Sequence, residues 1–141
     1  MSNVKIVLDG ARMAELLHSP TGPFGRWMIE RGELVKQAAR KQAPSKTGCL
    51  RGSIVKRVEE TPQGIAIRIV SDTSPCSPSR KSYSLYVHEG TKPHTIMGNP
   101  TLAFFWPSGP NGPRMYFFRS VQHPGTKPNR FLTDNLPIFV R

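Results

Sequence analysis

The sequence is short of cysteines, acidic residues and long apolar runs, and each shortage excludes a class of protein. Its 2 cysteines form no CxxC pair, and its 4 histidines lack the close spacing of a zinc site. No apolar run approaches the roughly 18 residues that a membrane-spanning helix needs. No basic leader precedes an apolar stretch at the start of the chain, so we expect no secretory signal.

Short catalytic motifs are also absent. The chain contains no GxSxG nucleophile elbow, no GxxxxGKS/T phosphate loop and no GxGxxG loop. We therefore expect neither an enzyme nor a bound cofactor, with no catalytic and no metal-ligating residues. Only scattered histidines and serines favour the alternative of a small hydrolase.

The two cysteines could be joined in a disulfide or remain free thiols. Cys49 and Cys76 stand alone in different sequence contexts. A disulfide between them is one state, but a reducing cytoplasm favours two free thiols. We expect free thiols.

The scarcity of acids leaves a strongly basic chain. Twenty Lys and Arg residues against nine Asp and Glu give a formal net charge of +11. Residues 34–58 contain no acid, and after Glu89 the only acid is Asp134. The basic side chains of the first stretch are Lys36, Arg40, Lys41, Lys46, Arg51, Lys56 and Arg57. Such a field attracts polyanions such as DNA. A solvated basic surface, or one facing an acidic neighbouring subunit, explains the charge equally well.

Length and composition favour one domain over residues 1–141, because 12 glycines and 14 prolines break the chain into short elements. Asp9 is placed to cap a short helix over Ala11–His18. Apolar residues at helical spacing predict a long amphipathic helix over Pro23–Gln42, stopped by Ala43-Pro44. Gly32 weakens the middle of that helix by roughly 1 kcal/mol relative to Ala.

Strands are expected both before and after the long helix in the sequence. The predicted strands are a short one at Val4–Leu8, then Ser53–Glu60, Gly64–Ser71, Leu102–Trp106 and Met115–Val121. The predicted irregular segments are a polar, mobile loop over Asp72–Ser82 and a hairpin tip over Pro107–Pro113. Tyr83–Glu89 is a helix or a strand, and Arg130–Leu136 forms one or two helical turns before Pro137.

Together these elements predict an α+β domain with a small, mostly antiparallel, curled or sandwiched sheet and one long helix packed across it. So small a sheet has open edges, which invite pairing with another chain. We therefore expect an oligomer, with the hairpin tip and the polar loop reaching its neighbours.

One phrase occurs twice in the chain. His88-Glu89-Gly90-Thr91-Lys92-Pro93 is echoed by His123-Pro124-Gly125-Thr126-Lys127-Pro128. Gly supplies an unusual backbone angle and Pro fixes the exit direction, so each copy is typical of a turn. The repeat indicates two equivalent corners of a β-rich scaffold, unless the likeness is chance.

Three further segments carry a resemblance. Ala43-Pro44-Ser45-Lys46-Thr47-Gly48-Cys49-Leu50-Arg51-Gly52-Ser53-Ile54 follows a basic helix end, Tyr86-Val87-His88-Glu89-Gly90-Thr91 comes next, and Lys127-Pro128-Asn129-Arg130-Phe131-Leu132 lies near the terminus. In this order they resemble the head–tail joining or tail-completion proteins of long-tailed phages, the group that includes the minor tail protein Z of lambda-like phages. Cys49, the segment Ser74–Ser82, the long hairpin tip and Pro137 depart from the simplest members.

The resemblance implies a structural protein of the virion neck or upper tail, made in the host cytoplasm. Such a protein forms a homo-oligomeric ring that contacts other neck and tail proteins and touches passing genomic DNA. The candidate contacts to a DNA conduit or a partner ring are Arg40, Lys41, Lys46, Arg51, Lys56 and Arg57. The candidate turn residues are Thr47, Gly48, Glu89, Gly90, Thr91, Gly125 and Thr126, with Glu89 accepting backbone hydrogen bonds or pairing with Arg51.

A nucleic-acid-binding module that acts alone is the alternative function. The positive charge favours it, as do two aromatic runs, Phe104-Phe105-Trp106 and Tyr116-Phe117-Phe118, which have the composition of base-stacking platforms. Alternating aromatics in facing hairpin strands are also typical of core and interface positions.

Overall fold

Two consecutive helices open the part of the chain that the structure, a computed structural model, describes: residues 9–140. Helix α1 spans Gly10–His18, and the Asp9 carboxylate caps it by accepting hydrogen bonds from the N–H groups of Ala11 (3.0 Å) and Arg12 (3.2 Å). Helix α2 spans Pro23–Gln42. Both helices are confirmed near their predicted bounds, while the strand predicted at Val4–Leu8 lies outside the described residues.

Helix α2 lies across the first of two β-hairpins. Strands β1 (Ile54–Thr61) and β2 (Gly64–Ser71) pair antiparallel in one unbroken register. At the crossing Gly32 is buried, and a Cβ there would overlap the side chain of Ile67. The glycine that lowers helix propensity therefore allows the helix to approach the strand closely.

The first hairpin continues into a loop that is fixed to the body. Helix α3 (Cys49–Ser53) precedes β1, and a 3-10 turn at Ser74–Cys76 follows β2. Because β1 and β2 pair, these flanking segments meet, and Cys49 and Cys76 form a disulfide with Cα atoms 6.2 Å apart. The expectation of two free thiols is wrong for this reason.

The loop predicted over Asp72–Ser82 also holds itself in place by hydrogen bonds. The fully buried Thr73 receives the Tyr83 N–H on its hydroxyl at 2.8 Å, and its own N–H donates to the Ser82 hydroxyl at 3.1 Å. The ambiguous segment that follows is helical, as α4 (Ser84–Glu89).

The second hairpin, β3 (His94–Trp106) and β4 (Arg114–His123), is longer at its base than predicted. Its antiparallel register shifts between Met97 and Leu102. The two hairpins form separate sheets, and within residues 9–140 neither a helix nor another strand packs extensively on β3–β4.

The C-terminal segment makes the predicted helical turns and then continues. Asp134 N–H donates to the Arg130 carbonyl at 2.9 Å, and Leu136 N–H to the Thr133 carbonyl at 3.2 Å. Pro137 does not end the helical structure but begins α5 (Pro137–Val140), since proline fits the first turn of a helix. The α+β class with one long helix packed on antiparallel strands is confirmed. Among the described helices, none is both long and apolar enough to cross a bilayer.

Candidate functional site

The three segments that carry the resemblance meet around one side chain, Phe131. Phe131 is fully buried and packs in a cluster with Ala39, Ala43, Leu50 and Ile54. These residues come from the end of α2, from α3 and from the start of β1. The second segment joins through the Asn129 N–H, which donates to the Val87 carbonyl of α4 at 2.9 Å. Segments far apart in sequence therefore form one packed corner, which we call the Phe131 corner.

The chain enters this corner through the turn at Thr47-Gly48. Gly48 has φ +81°, a left-handed angle that favours glycine, and no atom lies within 4 Å of where its Cβ would be. The Gly52 N–H donates to the Gly48 carbonyl at 2.8 Å, and the Thr47 hydroxyl accepts from the Cys49 N–H at 3.5 Å. The turn places Leu50, only 4% exposed, in the core.

The two repeated turns pair with each other. Thr91 and Thr126 exchange two backbone hydrogen bonds, of 3.1 and 3.0 Å, and their hydroxyl groups lie 3.1 Å apart. Gly90 and Gly125 have φ of +73° and +83°, and a Cβ on either would overlap the opposite backbone. The repeat thus forms a clasp at the root of the β3–β4 hairpin, which we call the turn clasp.

Two histidines continue the clasp into the hairpin. His94 faces His123 in register, with ring centroids 5.0 Å apart. His94 Nδ1 lies 2.9 Å from the Lys92 carbonyl and donates to it, whereas His123 Nδ1 accepts the Gly125 N–H at 3.0 Å. Each imidazole therefore holds one copy of the repeated turn in its bent form.

Glu89 takes neither of its predicted roles. Its carboxylate lies 2.6 Å from Nδ1 of the adjacent His88, so the expected pairing with Arg51 or with the backbone of the turn is wrong. His88 is 9% exposed, lies edge-on to Phe131, and has its Nε2 3.3 Å from the Thr133 hydroxyl. The Thr133 hydroxyl, the His88 imidazole and the Glu89 carboxylate thus stand in the order found in acyl-transfer sites. The imidazole is buried against Phe131, so the contact between His88 and Thr133 ties α4 to the C-terminal segment.

Two of the six predicted contact cations are committed to the fold. The Arg40 guanidinium donates twice to the Ile54 carbonyl, at 3.0 and 2.8 Å. Lys56 Nζ donates to the Ile29 carbonyl at 3.0 Å and lies 3.2 Å from Glu33. A hydrogen bond from Lys36, supported by Lys56, lowers the pKa of Glu33 to about 2. These side chains join α2 to β1 and are not free to meet a partner.

The other four cations are exposed. Lys41, Lys46 and Arg51 lie along the chain around the Thr47-Gly48 turn, where one Arg51 nitrogen donates to the Ala43 carbonyl at 3.4 Å. Arg57 lies apart from them near Asp72, whose pKa is lowered by the Ser74 hydrogen bonds and, to a smaller extent, by Arg57. We call Lys41, Lys46 and Arg51 the basic rim.

A groove separates the basic rim from the turn clasp. Two adjoining hollows of about 160 and 400 Å³ share Pro44, Tyr83 and Val87. The larger one ends at His94, His123 and Lys127 of the clasp. Sequence reasoning missed this groove, although the two copies of Gly-Thr-Lys-Pro were a signal that the chain uses the same corner twice. Within residues 9–140 no three His, Cys, Asp or Glu side chains cluster as metal ligands.

Comparison with known proteins adds no relative: no family model, no curated protein and no solved structure matches this chain.

Proposed function

We propose that this protein is a structural component of a phage virion, forming a ring in the neck or upper tail that joins the DNA-filled head to the tail or completes the tail. The observation that supports this most is the Phe131 corner. The three segments of the resemblance are separated along the chain, yet they pack on one another in a single unit. Such convergence is expected if the three segments form one conserved structural unit of that family.

The exposed surfaces suit assembly. The β3–β4 hairpin carries large apolar side chains in water, and an isolated two-stranded hairpin is marginally stable. A ring is built from head-to-tail contacts, which need two different surfaces on each subunit. The basic rim, on the body, faces either the DNA conduit or an acidic neighbouring ring.

The test is the position of the protein in the particle. Gold-labelled antibody against a tagged copy should mark the head–tail junction of purified virions, and cryo-electron microscopy should show several copies around the particle axis. Absence from purified virions would contradict the proposal, as would a single copy without contacts to like subunits.

A nucleic-acid-binding module remains the second candidate, because the basic rim lies beside the groove that contains Tyr83 and the half-exposed Tyr86. Changing the three rim residues to Gln separates the two functions. Loss of tight, salt-dependent DNA binding by the isolated chain would favour the module. Weak binding by the isolated chain, with impaired DNA retention in otherwise assembled particles, would favour the conduit. Lys56→Gln is excluded from this set because Lys56 supports the fold.

A further inference from the structure

The two faces of the β3–β4 hairpin are covered to different extents. One face carries four aromatic rings that pack on one another, two pairs of them stacked: Phe104, Trp106, Tyr116 and Phe118. The hairpin tip folds back over this face, where the Tyr116 hydroxyl accepts the Asn111 N–H at 2.9 Å and donates to the Gly112 carbonyl at 3.2 Å. Tyr116 is consequently 7% exposed. The tip thus covers its own hairpin.

The opposite face is left bare by the part of the chain that the structure describes. The register places Ala103, Phe105, Met115 and Phe117 together there, and we call them the hairpin patch. Phe105 is 58% exposed, Met115 48% and Phe117 66%. Apolar side chains grouped in this way on a projecting element mark a surface that another molecule covers.

The body carries an uncovered apolar surface of the opposite shape. A hollow of about 300 Å³ opens between α2, β2 and the C-terminal segment, and we call it the C-terminal groove. Its lining includes Val35, Ile67, Ile69, Thr133, Leu136 and Phe139. Leu136 in this lining is 55% exposed. Within residues 9–140, β3–β4 packs extensively on none of α2, β2 and α5, so the patch and the groove lie apart in one chain.

One charge without an ion-pair partner among the described residues lies near each surface, and the two are of opposite sign. Arg119 lies on the face of the hairpin patch, is exposed, and has no acidic partner among the described residues. Residues 94–123 contain no acid at all. Asp134 adjoins Thr133 of the groove lining; it accepts a hydrogen bond from Gln42 at 3.1 Å and, in the described part of the chain, forms no ion pair.

We infer that the hairpin patch of one copy docks in the C-terminal groove of a second copy, with Arg119 facing Asp134 of that copy. Each chain then offers one patch and one groove, so the contact is head-to-tail, and it forms a ring where the rotation between successive copies closes. The closed ring rests on the proposed function, whereas the contact itself does not. Three half-exposed side chains bury roughly 300 Å², below the approximately 800 Å² per partner of a standard interface. A single contact should therefore be weak and concentration-dependent.

Sedimentation velocity over a concentration series tests the contact. Phe117→Glu in the patch and Leu136→Glu in the groove should each weaken self-association by about tenfold or more. Met97→Glu is the matched control, because Met97 is 71% exposed on the other face of the same hairpin. This control variant should associate like the original chain.

Mixing the two disrupted variants gives the sharper result. A Phe117→Glu chain keeps its groove and a Leu136→Glu chain keeps its patch, so the mixture should form dimers that grow no further. If Leu136→Glu associates normally while Phe117→Glu does not, patches pair with each other and the inference is wrong. A chain that stays monomeric at every concentration also overturns it. Binding to phosphatidylcholine–phosphatidylglycerol vesicles that Phe117→Glu abolishes would instead assign the patch to a membrane.

Charge reversal tests the same contact without replacing an apolar side chain, a change that could also disturb the fold. Arg119→Asp and Asp134→Arg should each weaken association, and the double variant should regain it. If the double variant associates no more strongly than either single variant, Arg119 does not face Asp134 of a second copy. This contact and the proposed function can fail separately. If Phe117→Glu copies occupy the virion neck in unchanged numbers, this contact alone is wrong. If the protein associates head-to-tail but is absent from virions, only the proposed function is wrong.

Discussion

Phe131 is fully buried whereas Phe117, in the β3–β4 hairpin, is 66% exposed. The first closes a core to which α2, α3 and β1 all contribute, while the second lies on a face that residues 9–140 leave bare. The same side chain therefore stabilises the fold in one region and is available for a partner in the other. The body packs its apolar residues into its own core, whereas our inference assigns the bare face of the hairpin to a second copy.

The largest expected effect separates these two phenylalanines. Phe131→Ala should lower the free energy of unfolding by about 3–5 kcal/mol, because it leaves a cavity in the Phe131 corner. Phe117→Ala, the matched control, should change it by no more than about 0.5 kcal/mol in the dilute chain. Urea unfolding followed by circular dichroism measures both, and equal losses would break the comparison.

The root and the tip of the hairpin should also differ. Gly125→Ala forces a Cβ both into a left-handed backbone and onto the Thr91 backbone, at a cost of about 2–4 kcal/mol. Gly112→Ala has nearly the same φ, +81°, with nothing within 4 Å of the new Cβ, and should cost only about 1–2 kcal/mol. Thermal unfolding of the two variants measures the difference. Equal destabilisation would mean that the turn clasp does not join the hairpin to the body.

The Thr47-Gly48 turn sharpens the account of the body. Gly48→Ala should destabilise by about 1–2 kcal/mol because of its left-handed φ. Gly52→Ala is the control, since it too has no atom near its Cβ but lies in α3 with an ordinary φ, and it should stabilise slightly. An unchanged melting temperature for Gly48→Ala would contradict the left-handed turn.

The smallest expected effect on stability concerns charge. Ion pairs of Glu33 stabilise the body, whereas residues 94–123 of the hairpin contain no acid that could form one. Because the folded-state pKa of Glu33 is lowered to about 2 from 4.5, its ion pairs stabilise the fold above pH 4.5 and lose this effect as the pH falls toward 2. Glu33→Gln should therefore be less stable than the original chain at pH 7, and the difference should vanish near pH 2.

Glu30→Gln is the control for that titration, because Glu30 is exposed and forms no ion pair among the described residues. It should unfold like the original chain throughout. A deficit for Glu33→Gln that persists at pH 2 would assign the effect to packing instead of charge.

Local signals in the sequence were enough to predict α1, α2, β1 and β2, but not α3 or α5. Asp9 marks a helix start by its capping side chain, Pro23 and Pro44 mark helix ends by their backbone restriction, and alternation of apolar residues marks β1 and β2. Gly32 shows the limit of such reasoning, because its value lies in the approach of Ile67, which only tertiary packing reveals.

Relations between distant segments were not predictable. The disulfide depends on strand pairing that brings together residues 27 apart, and compartment statistics pointed to the opposite state. The repeat of Gly-Thr-Lys-Pro predicted two corners but not that they pair with each other. In the candidate site, composition was enough to predict that the basic rim is exposed. It could not predict that Arg40 and Lys56 donate within the fold, because only the fold brings their backbone carbonyl acceptors near them.

Amide hydrogen exchange of the full chain, compared at low and high concentration, tests the contrast between the two regions most directly. The account predicts slow exchange in α2 and β1–β2 at both concentrations, with β3–β4 fast in the dilute chain and protected only as copies associate. A hairpin as protected as the body in the dilute chain, and unchanged on concentration, would contradict it.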